Sequence, residues 1–306
     1  MNIVLLDAVT FGDTDLRGFD DLGAVIVYQT TKPEELDERI ANADVIVTNK
    51  VVITAEAMQK AKKLNLICIA ATGMNNVDLE AAKKCGIEVR NVAGYSTNSV
   101  VQHTFSMLFY LVGHSRYYDE AVKSGSWSKS GVFTDVSHPF FEISGKKWGV
   151  IGLGTIGRKV AVLAKAFGAD VSYFSTSGRN LDSEFNSVTL DELLEESDII
   201  TIHAPLNNAT LNLLNHRTMS KCKDGVVILN LGRGGIINEA DAAMLLDEKD
   251  IYFGLDVLHH EPIPQNHPLL QVENKDRLYI TPHIAWTSKE ARDTLIASVV
   301  ENIRSL

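Results

Sequence analysis

The sequence predicts an α/β protein with two parallel-sheet domains, and three observations carry that prediction. Short apolar runs alternate with helix-like segments along most of the chain. The runs are apolar at consecutive positions, as strands covered on both faces require. The alternation stops once, after a long helical stretch, and resumes sharply at Trp148. With 306 residues, 45% of them hydrophobic, the chain is long enough for two domains, each with its own core.

In the first block, NIVLLD, AVIVYQ, ADVIVTN, LNLICIAAT and GIEVRNV read as strands. ELDERIANA, TAEAMQKAKK and NVDLEAAKKC read as the helical pieces among them. Residues 1 to about 98 therefore form one α/β domain. A longer helix is predicted from near Asn98 through VVQHTFSMLFYLVGHSRYYDEAVKSG, ending by Gly125. The next stretch, WSKSGVFTDVSHPFFEISGKK, has no clean period and several aromatic residues. It reads as a loop over a cleft or as a contact with another subunit. The second block contains WGVIG, ADVSYFS, SDIITIHAP, GVVILNLG, YFGLDV and RLYITPH. Periodicity assigns the last helix, SKEARDTLIASVVENIRSL, to neither domain in particular.

Composition removes several function classes. The formal net charge is −10, from 29 basic and 39 acidic residues, which argues against a nucleic-acid-coating surface. The opening MNIVLLDAVTFGD reads as a first strand rather than a secretory leader. No apolar run reaches about 18 residues, so no membrane span is expected. Cys68, Cys85 and Cys222 are few and not in metal spacing, which suits a reduced, cytoplasmic setting. HExxH, GxSxG and Walker A patterns do not occur, so neither a catalytic zinc nor a serine-hydrolase elbow is expected.

The most informative local pattern is Gly152-Leu153-Gly154-Thr155-Ile156-Gly157, placed between a strand and a helix. Gly152 permits the tight turn, Gly154 lets backbone approach a pyrophosphate, and Gly157 lets helix and strand pack closely. The helix N–H groups then point at the phosphates. This context predicts a dinucleotide site. At the end of the next strand, Ser175 stands where a carboxylate would accept from the adenosine ribose hydroxyls of NAD. A serine removes the repulsion that a carboxylate exerts on a 2′-phosphate. Thr176 and Arg179 offer a hydroxyl and a bidentate cation beside it. The cofactor is therefore expected to be NAD(P), with NADP favoured by a small margin and NAD left open.

Candidates for chemistry follow apolar strands in the second half, where ligands of α/β sheets collect. These are Arg233 after VVILNLG, Asp256 and Glu261 around YFGLDVLHHEP, and His283 after LYITP. Imidazole trades protons near neutral pH, so His283 is the candidate acid/base. Glu261 is the candidate carboxylate to hold it. Arg233 is the candidate clamp for a substrate carboxylate. Against this, each residue could be ordinary capping, turn or loop chemistry, and spacing alone does not bring them together.

Over nearly its full length the chain resembles the D-isomer-specific 2-hydroxyacid dehydrogenases. The matching segments are ATGMNNVDLEAAKKCGIEVRNVAGYSTNSVVQH, GKKWGVIGLGTIGR, HAPLNNAT, ILNLGRGGIINEADAAMLL, GLDVLHHEP and TPHIAWTSKEA. GYSTNSV and TPHIAW most resemble the glycerate dehydrogenase (hydroxypyruvate reductase) branch. The resemblance implies two Rossmann-like domains with parallel sheets. The nucleotide domain, 99–284, is inserted into a substrate domain of 1–98 plus 285–306, with the active site in a cleft. It implies that Arg233 binds the 2-oxoacid, His283 is the acid/base and Glu261 its partner. Thr72, Gly73, Met74, Tyr95 and Trp286 would line the substrate site. Thr155, Ile156, His203, Pro205, Thr210, Leu231, Gly232 and Asp256 would join the glycine loop in holding the cofactor, Asp256 at the nicotinamide end.

The reaction implied is reversible hydride transfer between NAD(P)H and a small 2-oxoacid. Hydroxypyruvate/D-glycerate leads, and glyoxylate/glycolate follows. The alternatives are a dehydrogenase for bulkier branched or aromatic 2-hydroxyacids, or a dinucleotide-sensing, corepressor-like binding protein. A homodimer is implied, which suits the aromatic-rich 115–145 region. Two departures stand out: Gln102 where Glu is frequent, and Gly232 where Ala, Ser or Thr is usual, which would loosen the loop before Arg233.

Overall fold

The structure, a computed structural model, describes residues 1–180 and 182–306. The chain divides into two compact units, Met1–Ser96 with Trp286–Leu306, and Thr97–Ala285. Each is a Rossmann-like α/β unit built on an all-parallel sheet. The break at Ser96 leaves Thr97 and Asn98 in the second unit, because they open the continuous helix Thr97–Val112.

The first unit contains β1 (Asn2–Leu5), β2 (Ala24–Val27), β3 (Val45–Thr48), β4 (Leu66–Ile69) and β5 (Glu88–Asn91), in the order β2-β1-β3-β4-β5. Its continuous apolar runs reflect two buried faces. Val4, Ile46, Ile67 and Ile69 pack with Leu36, Ile40 and Met58 on one side. Ile3, Leu5, Val45, Val47 and Leu66 pack with Phe11, Phe19, Leu295 and Val299 on the other. The final helix, Lys289–Arg304, thereby completes the core of the first unit. Each such side chain contributes about 1.5–3 kcal/mol when fully buried. Short polar residues start the helices: Thr54, Asp78 and Ser288 accept from the N–H of Ala57, Ala81 and Ala291.

The second unit contains β6 (Lys147–Ile151), β7 (Asp170–Phe174), β8 (Asn186–Ser187), β9 (Ile199–Ile202), β10 (Val226–Asn230), β11 (Ile251–Leu255) and β12 (Leu278–Ile280). Their order, β12-β11-β10-β9-β6-β7-β8, places a topological switch between β6 and β9. A ligand crevice forms at the carboxyl ends of strands at such a switch. Trp148 is fully buried on one face beside Phe105, and its indole N–H donates to Thr201 Oγ1 at 3.1 Å. Short β8 carries little apolar pattern, and the sequence reading passes over it.

The predicted long helix is two helices, Thr97–Val112 and Ser115–Lys123. His114 lies between them in a left-handed conformation, φ 46°, which breaks the helical path. Within the stretch expected to be irregular, Ser126–Ser130 forms a short helix. Cys68 and Cys222 are buried, and burial pushes both thiols up to about 12, outside the range of reactive thiolates. Among the described residues no His, Cys, Asp and Glu group is arranged to hold a metal ion. None of their helices is long and apolar enough to cross a membrane.

Candidate active site

The glycine loop leaves β6 at the switch point. Gly152 has φ 92°, and a Cβ there would lie 2.9 Å from the backbone of Ala204. A Cβ on Gly157 would lie 2.1 Å from the Gly152 carbonyl oxygen, so only glycine lets the helix Thr155–Ala166 sit this close. Gly154 is different, with nothing within 4 Å of a Cβ, so its backbone is open to a ligand. An open cavity of about 480 Å³ lies there, lined by Gly154, Thr155, Arg158, Lys159 and Asn180.

Two side chains beside this loop have buried polar atoms without protein partners. Ser175 follows β7 and His203 follows β9, the two strands flanking β6. Ser175 Oγ and both ring nitrogens of His203 are out of solvent and unbonded. His203 is half-buried as a residue, and burial of its ring pushes the pKa down to about 3. The ring is therefore neutral near pH 7, with one donor and one acceptor. Buried polar atoms need partners, and hydroxyl-rich ribose and phosphate groups supply them. The loop, cavity and orphaned atoms fit a dinucleotide.

Other expected cofactor contacts are engaged differently. Thr210 is fully buried, and its hydroxyl donates to Pro205 O at 2.7 Å and accepts from Asn207 N–H at 2.8 Å. It therefore shapes the loop that carries exposed Pro205 instead of presenting its side chain to a ligand. Leu231 packs in the core, leaving only its backbone for such a role. Gly232, expected to loosen the loop, does the reverse. A Cβ there would meet Ala204 O at 2.8 Å, and its N–H donates to Asn230 Oδ1. Thr176 is half-buried and Arg179 exposed on the loop after β7. Sequence reasoning overlooked Arg158, on the first turn of the helix, which pairs with Asp182 beside the cavity.

Three neighbouring strands, β10, β11 and β12, deliver the candidate catalytic groups, since Arg233, Asp256 and His283 follow their carboxyl ends. Parallel pairing explains how residues distant in sequence come to one edge. His283 Nδ1 lies 2.7 Å from Glu261 Oε2, and Glu261 Oε1 accepts from Leu258 N–H at 2.9 Å. Both side chains are half-buried. The Glu261 contact engages Nδ1, so Nε2 is the ring nitrogen that can meet a ligand oxygen. The Arg233 guanidinium donates to its neighbour Gly232 O at 2.8 Å, and buried Asn230 donates to Arg233 O at 2.9 Å. Asn230 is a positioning residue whose role has no motif in the sequence.

Asp256 is placed less simply than the expected nicotinamide contact. Its side chain is 1% exposed, and its oxygens accept from Ile284 N–H, Ala285 N–H and the Thr281 hydroxyl. Those bonds hold the loop that carries His283.

In the first unit, Thr72, Gly73 and Met74 follow β4. Thr72 Oγ1 donates to Val92 O at 3.1 Å, while Asn91 Nδ2 donates to Thr72 O at 2.7 Å. Met74 packs against the core. Tyr95 and Trp286 meet edge to face, with ring centroids 6.2 Å apart.

Comparison with known proteins assigns this architecture. Residues 105–285 match the D-isomer specific 2-hydroxyacid dehydrogenase, NAD binding domain. A hydroxypyruvate reductase of Blautia hydrogenotrophica is 37% identical over 99% of this chain and 96% of its own length. The structure of an acyclic imino acid reductase, Bsp5, in complex with NADPH and D-Arg, superimposes with TM-score 0.86 at 28% identity, covering 100% of this chain and 96% of that one. D-lactate dehydrogenase from Aquifex aeolicus, with NAD and lactic acid, gives 0.85 at 26% identity, covering 100% and 95%. Fold, site and relatives together define an NAD(P)-dependent oxidoreductase. The chain belongs to the D-isomer-specific 2-hydroxyacid dehydrogenase family, related to its glycerate dehydrogenase/hydroxypyruvate reductase branch, and has general D-2-hydroxyacid dehydrogenase activity with NAD(P)H.

Proposed function

We propose that this protein reduces hydroxypyruvate to D-glycerate, with glyoxylate as a second substrate. The observation that carries the chemistry is the 2.7 Å His283–Glu261 pair at the carboxyl edge of the sheet. The bound nicotinamide supplies the hydride that adds to C2. Arg233 grips the substrate carboxylate through two parallel N–H bonds and polarises the neighbouring carbonyl. His283 gives its Nε2 proton to the oxygen as negative charge develops there. Glu261 stabilises the cationic ring before that transfer and holds its orientation. The hydroxypyruvate reductase named above supports this substrate. The test is steady-state reduction of hydroxypyruvate, glyoxylate and a bulkier aromatic 2-oxoacid. A kcat/KM ranking led by the aromatic substrate sinks the assignment.

The cofactor reading favours NADPH. Ser175 offers a neutral hydroxyl where a carboxylate would repel a 2′-phosphate, and Arg179 supplies positive charge from the loop. Ser175→Asp is expected to lower kcat/KM for NADPH by about tenfold to a hundredfold, the scale of one or two charge-assisted contacts. NADH turnover should hold or rise. An unchanged NADPH preference in this variant removes Ser175 from the specificity site.

The assembly proposed is a homodimer formed through residues 131–140. Phe133, Val136 and Phe140 are 89%, 80% and 66% exposed, an apolar group that a partner copy would cover. Phe133→Ser with Phe140→Ser is expected to shift the mass seen by light scattering from dimer to monomer. A monomeric parent protein contradicts this reading.

A further inference from the structure

We propose that His103 is a positioning residue for proton transfer, bracing the His283 loop through Thr281 and Asp256. This rests on His283 being the acid/base. His103 lies on the helix Thr97–Val112, outside the residues that the sequence singles out for chemistry.

The loop it reaches is unusual. His283 has φ 55°, in the left-handed region that L-residues other than Asn and Asp seldom adopt. Such a conformation persists only where its surroundings hold it. Here the holder is Asp256. Its carbonyl accepts from His283 N–H at 2.9 Å, and its carboxylate accepts from Ile284 and Ala285 N–H, each at 2.9 Å. The remaining donor is the Thr281 hydroxyl, 2.6 Å from Asp256 Oδ1.

A hydroxyl has one hydrogen. With that hydrogen directed at Asp256, Thr281 Oγ1 can only accept from His103 Nε2, 3.1 Å away. The chain of donation therefore runs from His103 to Thr281 to Asp256. It requires a proton on Nε2 of His103, and it removes the rotational freedom of the hydroxyl. Burial disfavours the charged form of His103 and outweighs the attraction of Asp256, so the neutral ring that donates from Nε2 is the form present.

The same helix touches the loop at a second point. Ser99 Oγ donates to Ala285 O at 2.6 Å, beyond His283. The helix is itself fixed by buried Val100, Val101, Met107 and Leu108. His283 is thus held between two braces on one rigid element. Removing the first frees Thr281 to turn away from Asp256 and lets the imidazole drift. Misplacement of a reacting group by about 1 Å costs on the order of a hundredfold.

The test compares kcat and KM for His103→Ala, His103→Gln, Thr281→Val and the double variant His103→Ala/Thr281→Val, beside His283→Asn. Thermal melting and NADPH binding by fluorescence check that each is folded. The expected result is a kcat about tenfold lower in His103→Ala and in Thr281→Val, with KM for the oxoacid within roughly twofold of the parent. The double variant should be no slower than the slower single one, because both break the same chain. His103→Gln should recover most of kcat, since its amide also donates. Parent-like kcat in His103→Ala, or His103→Gln as slow as His103→Ala, or multiplying effects in the double variant, overturns the brace. His283→Asn separates the two levels of argument. An active His283→Asn overturns the acid/base assignment and the brace with it, whereas an inactive one beside a parent-like His103→Ala overturns the brace alone.

Discussion

His283→Asn is expected to lower kcat by about 10³-fold while NAD(P)H still binds, since general acid catalysis by a placed imidazole contributes typically 10²–10⁴-fold. Asparagine is the informative replacement. His283 has φ 55°, and Asn adopts that region more readily than Ala or Gln, so the loop keeps its path. The amide can still reach Glu261 but gives up no proton at working pH. Steady-state kinetics with a fluorescence titration of the cofactor measures both halves. Loss of cofactor binding along with turnover points to a damaged loop, and retained turnover removes His283 from the chemistry.

Arg233→Lys is expected to lower kcat/KM by about 10²-fold despite keeping the charge. A guanidinium meets a carboxylate with two parallel N–H bonds, whereas an ammonium is a single point charge. Losing one charge-assisted bond of about 1.5–3 kcal/mol accounts for a loss of that order. The backbone around this side chain is fixed by Asn230 and by the close approach of Gly232 to Ala204, so a lysine inherits the position but not the fork. Arg233→Ala should be slower still, and NAD(P)H binding should stay near the parent value in both. A lysine variant as fast as the parent means that Arg233 contributes charge alone.

The strands were legible because burial on two faces leaves an unambiguous trace, a run such as VVILN flanked by turn residues. The glycine loop was legible because each glycine answers a steric demand, seen directly in the contacts that a Cβ at Gly152 or Gly157 would make. Other features left little trace. The helix end before His114 is marked only by Gly113 and by one left-handed residue. Thr210 and Leu231 lie in segments that match the family, yet their side chains turn into the loop and the core. Local pattern says where a residue sits along the chain but not which way its side chain faces once neighbouring strands pack.

By itself the sequence determined the class of fold, the dinucleotide loop and the residue types available for acid/base chemistry and carboxylate binding. Those depend on periodicity, on glycine's missing side chain and on the chemistry of each group. Only the tertiary structure decided which groups act together. It set His283 against Glu261 and tied Asp256 to the loop beyond β12. It also brought His103 to Thr281, a partner far along the chain. The physical reason is that hydrogen bonding acts over about 3 Å, and which groups come that close is settled by the order of strands in the sheet and the helices laid across it.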